Sequence, residues 1–332
     1  MEKRAAHRLR GTGLTMAPEL SRRTLLAGAG AAAAATPLLA ATQAARDPLG
    51  PLPPSWHAAP MIDLWGDRMP ETGFAPQPLP PNAPPGFFRN VARPTLHRFP
   101  ATAPNGTAVL LMPGGGYSIV VGTHEGTDTA EALAARGYDV HVLIYRLPGE
   151  GWSHRADVPL QDAQRAIRLV RARSKAPRVV AMGYSAGGHL AASLTTGYGE
   201  TVYAPRDAAD RLSARPDAAG LIYPVITTDP RDTHAGSVAQ LLGPAPDAAA
   251  LARRSPDLHV DARTPPCFLV HALDDPAVPP ENSLRMLAAL RRAGVPAEAH
   301  LFQRGGHGFG LGTPGLPNGT WLDLFDRWLR QP

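Results

Sequence analysis

An apolar run, Val179-Val180-Ala181-Met182, breaks at Gly183-Tyr184-Ser185-Ala186-Gly187 and reopens at once as the helix-forming stretch Gly188-His189-Leu190-Ala191-Ala192. A buried strand that turns into a helix with no loop between them brings neighbouring backbone too close for side chains. Glycine on both sides of the apex residue relieves that crowding. The apex residue, here Ser185, is then held clear of the sheet edge, with the Ala186 N–H beside it at the start of a helix. Such a turn belongs in an open sheet of parallel strands, each followed by a helix.

The flanking sequence has the matching periodicity. Residues 107–112, 138–145, 178–182, 219–223, 267–271 and 297–302 read as strands, and 127–136, 159–173, 187–196, 281–293 and 321–329 as helices. This alternation predicts an α/β architecture: a mostly parallel central sheet with helices on both faces. In the second helix Leu160, Ala163, Ile167 and Val170 form one buried stripe, with Arg165, Arg168 and Arg171 expected on a solvated face. No internal repeat is evident.

Three segments are expected. In residues 1–45, Ser21-Arg22-Arg23-Thr24-Leu25-Leu26 precedes an uncharged, Ala- and Gly-rich stretch from Ala27 to Ala41. That pattern resembles a twin-arginine export signal, with small residues at Thr42-Gln43-Ala44 suited to cleavage. A periplasmic or secreted location follows as the expectation, and the stretch is too short and too weakly apolar for a stable membrane span. Residues 46–100 are proline-rich: 15 of the chain's 37 prolines lie between Pro48 and Pro104, a density that excludes long helices. Trp56, Met61, Leu64, Trp65, Phe87 and Phe88 in this segment imply an arm packed on the main domain, residues 101–332.

The formal charge of +5 owes much to the leader, which holds six Lys/Arg against two acids and leaves +1 for the remainder. No basic stripe interleaved with aromatics points to nucleic acid. The single Cys267 excludes an internal disulfide.

Chemistry-bearing residues fall at the C-terminal ends of the expected strands, where the sites of open sheets assemble. Asp274 and Asp275 follow the strand at 267–271, His307 sits among four glycines after the strand at 297–302, and Asp229 follows the strand at 219–223. Ser185 as nucleophile, His307 as general base and one of these aspartates to hold the imidazole form a Ser-His-Asp triad. Gly114-Gly115-Gly116 after the strand at 107–112 lets backbone turn N–H groups inward. Gly115 and Gly116, with Ala186, are the candidate oxyanion donors. Tyr117 and Tyr184 flank this machinery as candidate pocket walls, and Trp152 and His154 are candidates for the site mouth. His124-Glu125 and His189 lack the spacing of a metal site, and none is expected.

From Leu64 to Leu329 the chain resembles bacterial α/β-hydrolase-fold esterases of the acetylesterase and acetylxylan-esterase-like type, grouped with the feruloyl-esterase-like hydrolases. The resemblance rests on Pro-Gly-Gly-Gly-Tyr (113–117), His-Glu-Gly (124–126), Gly-Tyr-Ser-Ala-Gly-Gly-His (183–189), Asp-x-x-Val-Pro (275–279) and Gly-Gly-His-Gly-Phe (305–309). It implies an α/β-hydrolase fold, a cofactor-independent serine esterase, Asp275 as the triad acid, and short-chain acyl esters, with acetyl groups on plant-derived saccharides such as xylan among the targets. Pro113 stands where many related loops carry histidine. The segment 224–266 is too short for a large lid, which favours small acyl groups. The reading that follows is an exported serine carboxylesterase. Its rivals are a peptidase, amidase or dienelactone-type hydrolase on the same fold, and a carbohydrate-binding relative without catalysis.

Overall fold

The computed structural model describes residues 46–331, and the export signal expected at 1–45 lies outside them. Eight strands form the central sheet: β1 (Met61–Asp63), β2 (Thr95–Phe99), β3 (Thr107–Met112), β4 (Asp139–Ile144), β5 (Arg178–Tyr184), β6 (Ala218–Ile222), β7 (Cys267–Ala272) and β8 (Ala297–Phe302). They lie in the order β1-β2-β4-β3-β5-β6-β7-β8. Only β2 runs antiparallel to its neighbours β1 and β4; the other pairs are parallel.

The order locates the site. From β3 the chain crosses to β4 on one side and then returns to β5 on the other, so the winding reverses around β3. In an open sheet that reversal leaves a crevice beyond the carboxyl ends of the strands. Met112 pairs with Gly183, so β3 and β5 end level with each other at that crevice.

Six longer helices follow, α1 (Thr129–Ala135), α2 (Val158–Arg173), α3 (Ser185–Gly197), α4 (Ala235–Leu242), α5 (Glu281–Arg292) and α6 (Trp321–Leu329), and all but α4 pack on strands of the sheet. Strand side chains alternate between faces. Phe268 of β7 meets Phe325 and Trp328 of α6, while His271, an odd number of residues on, bonds Ser283 of α5 at 2.7 Å. Helices therefore cover both faces, and the central strands β3, β5, β6 and β7 are buried almost throughout. Among the described residues, no helix is long and apolar enough to cross a membrane.

Two expectations change. The proline-rich segment does more than lie on the domain: it supplies β1 and β2, the antiparallel edge of the central sheet. Trp65 Nε1 also donates to Asp162 at 2.7 Å, and Asp162 forms a fully buried ion pair with Arg146. In α2, Arg165 is 6% exposed rather than solvated. The segment around Asp207 and Asp210 covers that face, and Arg165 pairs with both carboxylates and donates to the Leu64 carbonyl. Arg168 and Arg171 are half-buried, bonded to Tyr203 and to Asp217. The apolar stripe itself, from Leu160 to Val170, is buried as its spacing implies.

Candidate active site

The turn after β5 is as tight as the glycines suggest. Ser185 has φ +51°, a left-handed backbone that is rare for a residue with a side chain. A Cβ on Gly183 would lie 2.1 Å from the Gly187 carbonyl oxygen, and one on Gly187 would lie 2.1 Å from the Met112 oxygen. Those two glycines let the elbow close on itself and on the end of β3. Ser185 opens α3, so the Ala186 N–H belongs to the first helical turn, whose N–H groups lack intrahelical partners.

Three side chains from three separate loops meet here. Asp275 Oδ2 accepts from His307 Nδ1 at 2.7 Å, and this leaves His307 Nε2 to accept from the Ser185 hydroxyl at 2.9 Å. Asp275 Oδ1 accepts from the N–H groups of Ala277 and Val278. Burial alone would raise its pKa. Hydrogen bonds from His271, His307 and Val278 prevail and hold the carboxyl well below the usual range. His271 is itself fixed by Ser283 and by the Val278 carbonyl.

Of the other candidate acids, Asp274 accepts from the N–H groups of Gly305 and Gly306, both at 2.8 Å, and so pins the loop that carries His307. Asp229 pairs with Arg231 and Arg285 instead. Neither bonds His307.

The loop after β3 has three successive positive φ values, at Gly115, Gly116 and Tyr117. Gly114 N–H is committed to Glu125 Oε2 at 2.7 Å. Among the described residues the N–H groups of Gly115 and Gly116 have no acceptor. The loop is tied down on both sides. Tyr145 hydroxyl donates to the Pro113 carbonyl at 2.8 Å, and Tyr117 hydroxyl bonds His189 Nδ1 at 2.7 Å. Burial lowers the His189 pKa to about 4. The ring is therefore neutral at pH 7, donating from Nε2 to the Arg254 carbonyl and accepting at Nδ1.

Glu125 bridges more than one loop. It sits in a π-helical turn, Thr123–Asp128, that leads into α1. Its Oε1 accepts from the Tyr223 hydroxyl at 2.9 Å, and that oxygen accepts in turn from Gly310 N–H at 3.0 Å. One carboxylate thus joins the glycine loop, the end of β6 and the segment following His307. The His-Glu-Gly motif stood out in the sequence, but nothing there gave Glu125 this role. His234, which the sequence did not single out, caps α4 through Nδ1 beside Gly116, and burial, aided by His307 and opposed by the Asp275 charge, lowers its pKa.

The aromatic wall candidates separate. Tyr117 reaches the site through its backbone, while its ring is buried against Tyr145 and His189. Tyr184 points into the core, packed on Tyr223 and Trp321 with its hydroxyl on Thr129, because side chains of adjacent strand residues face opposite ways. Trp152 packs in a tilted contact with Phe74 and under the Arg146 guanidinium, and His154 bonds Glu71 on the surface. Tyr184 and Trp152 are packing residues in this fold. Among the described residues no group of three or more His, Cys, Asp or Glu could hold a metal ion.

A mostly parallel eight-stranded sheet with a strained serine on the turn after its fifth strand, and with helices on both faces, is the fold of the α/β-hydrolases. Comparison with known proteins narrows the class. Residues 99–290, more than half of the chain, match the BD-FAE family model, and the chain belongs to that family. It is similar to the acetyl ester-xyloside bifunctional hydrolase from Caldicellulosiruptor lactoaceticus, with 35% identity and a TM-score of 0.68 over 82% of this chain and 95% of that one. It also resembles the thermophilic esterase of Thermogutta terrifontis, with 27% identity and a TM-score of 0.57 over 71% of this chain and 88% of that one. Among curated proteins it is 33% identical to the acetylxylan esterase of Xylanibacter ruminicola, over 68% of this chain and 46% of that protein. To endo-1,4-beta-xylanase B of Butyrivibrio fibrisolvens it is 38% identical, over 60% of this chain and 32% of that protein. The chain thus spans less than half the length of these curated relatives.

Proposed function

We propose that the protein hydrolyses short-chain esters, principally acetyl esters of plant-derived saccharides such as xylan, by way of an acyl-enzyme on Ser185. The observation that carries this reading is the continuous relay from Ser185 Oγ to His307 Nε2 (2.9 Å) and from His307 Nδ1 to Asp275 (2.7 Å). As Ser185 Oγ attacks the ester carbonyl, its proton passes to His307 Nε2, and Asp275 stabilises the imidazolium. The oxygen takes up negative charge in front of the N–H groups of Gly115, Gly116 and Ala186. Collapse expels the alcohol, protonated by His307. Water activated by the same nitrogen then releases the acid.

Ser185 is only 6% exposed, which favours a small acyl group. The names of the relatives favour acetyl on xylose-based saccharides. The twin-arginine-like leader supports export to the periplasm or beyond.

The test is the initial rate on p-nitrophenyl acetate, butyrate and octanoate, for the mature protein and its Ser185→Ala variant. Rates should fall with chain length and drop at least about a thousandfold in the variant. Undiminished turnover in the variant would refute the assignment. Ser185-dependent cleavage of anilides but not esters would support the amidase alternative.

A further inference from the structure

Beside the Gly115–Gly116 loop lies a cavity of about 410 Å3, within the size range of small-molecule sites. Its walls include Tyr117 and Ser118 of that loop, Glu150 and Arg155 from the segment after β4, Gln240 of α4, and Arg89 of the proline-rich segment. Its wall residues Tyr117 and Ser118 directly follow Gly116 in the loop that flanks Ser185. A Cβ on Gly116 would lie 3.8 Å from His234 Cε1 and 3.9 Å from both Ser118 Oγ and Ser237 Oγ. Gln240 follows Ser237 by about one helical turn.

The cavity is distinguished by its charges. Several other part-buried arginines are matched to carboxylates: Arg165 to Asp207 and Asp210, Arg254 to Asp157 and Glu200, Arg285 to Asp229, Asp232 and Asp257. Arg155 bonds only the carbonyls of Ala239 and Gln240, with no carboxylate in ion-pair range among the described residues. Burial pulls its pKa below the usual guanidinium value, as expected of a desolvated charge without a counter-ion. Arg89 donates to the Ser118 carbonyl at 3.4 Å and likewise has no ion pair. The one carboxylate of the cavity, Glu150, accepts from the N–H groups of Asn90 and Val91, and burial raises its pKa. Two guanidinium charges therefore face one carboxyl that is already occupied.

We propose that this cavity is an anion subsite of the ester-binding cleft, in which Arg155 and Arg89 receive a carboxylate carried by the substrate. The inference rests on the esterase reading and adds a substrate class to it. The carboxylate belongs either to the alcohol, as in an acetylated uronic acid, or to the acyl group, as in a hemisuccinate. A planar carboxylate matches the guanidinium fork, and an otherwise unpaired charge gives the discrimination its strength.

Two substrate pairs separate these sources: acetylated methyl glucuronoside against acetylated methyl glucoside, and p-nitrophenyl hemisuccinate against p-nitrophenyl butyrate. In one pair kcat/KM should favour the charged ester by about tenfold or more at low salt, and the preference should shrink as ionic strength rises. The ratio should collapse toward one in Arg155→Gln and Arg89→Gln and be partly kept in Arg155→Lys. Because the ratio is read within each variant, a general loss of activity cancels. Calorimetric titration of methyl glucuronoside and of succinate into Ser185→Ala, with and without Arg155→Gln, reads the subsite without turnover. Absence of charge preference in both pairs, or a ratio unmoved by either arginine substitution, overturns the subsite. No ester turnover together with arginine-dependent anion binding would instead retain the subsite and remove the esterase reading.

Discussion

Glu125 is 3% exposed, has no ion pair among the described residues, and accepts from both Gly114 N–H and the Tyr223 hydroxyl. Both contacts call for an acceptor, and only a carboxylate offers one on each oxygen. In Glu125→Gln an NH2 group faces one of the two donors, which loosens either the glycine loop or the segment beyond His307. The expected result is a fall in kcat of about ten- to a hundredfold with little change in KM, since the affected groups act on the transition state. Steady-state kinetics on p-nitrophenyl acetate, with thermal melting to verify the fold, make the measurement; a kcat within twofold of wild type would deny Glu125 this positioning role. Asp274 acts similarly from the other side by holding Gly305 and Gly306. The sequence offered it as a rival acid, because two adjacent aspartates at a strand end are indistinguishable until the backbone fixes which one faces the histidine.

Helix α3 carries both the elbow and His189, so its packing links the site to stability. Burial lowers the His189 pKa to about 4, whereas an unfolded histidine titrates near 6.5. Between those values the unfolded chain binds a proton that the fold refuses, so stability rises with pH across the window and is lost as pH falls through it. His97, stacked on Trp56, is lowered to about 4 by burial and acts in the same sense. Calorimetric melting from pH 7 to pH 4.5 should show Tm falling with acidification, and the slope should be shallower in His189→Gln. An unchanged slope in that variant would mean His189 contributes nothing to the pH dependence. Helix α4 was not foreseen at all. It has eight residues, Ala235–Leu242, in a region without a long apolar period, yet it brings His234, Ser237 and Gln240 to the loop beside the site.

Across the whole molecule, the parallel core was legible because its central strands are buried on both faces and read as continuous apolar runs. The strands expected at 107–112 and 297–302 coincide with β3 and β8, and the helix at 321–329 with α6. The antiparallel edge was not legible. β1 has three residues and lies among prolines, and its place in the sheet depends on pairing with β2, a long-range contact that periodicity does not report. The burial of Arg165 escaped for the same reason: the partners Asp207 and Asp210 come from a distant segment. Ser185 and His307 could be named beforehand because each lies just beyond a strand end in a distinctive glycine-bearing turn, whereas Asp275 was separated from Asp274 only by the family resemblance. The packing of Trp152 and Tyr184 depended on side-chain direction, which composition does not give.

The central claim is that Ser185 is the nucleophile and that His307 activates it. Labelling with a fluorophosphonate followed by peptide mass mapping tests this most directly. The account expects one adduct per chain, on the peptide containing Ser185, absent in Ser185→Ala, slowed strongly in His307→Ala, and accompanied by loss of ester turnover in proportion to labelling. Label on another residue, or full turnover by protein whose Ser185 is completely modified, would contradict it.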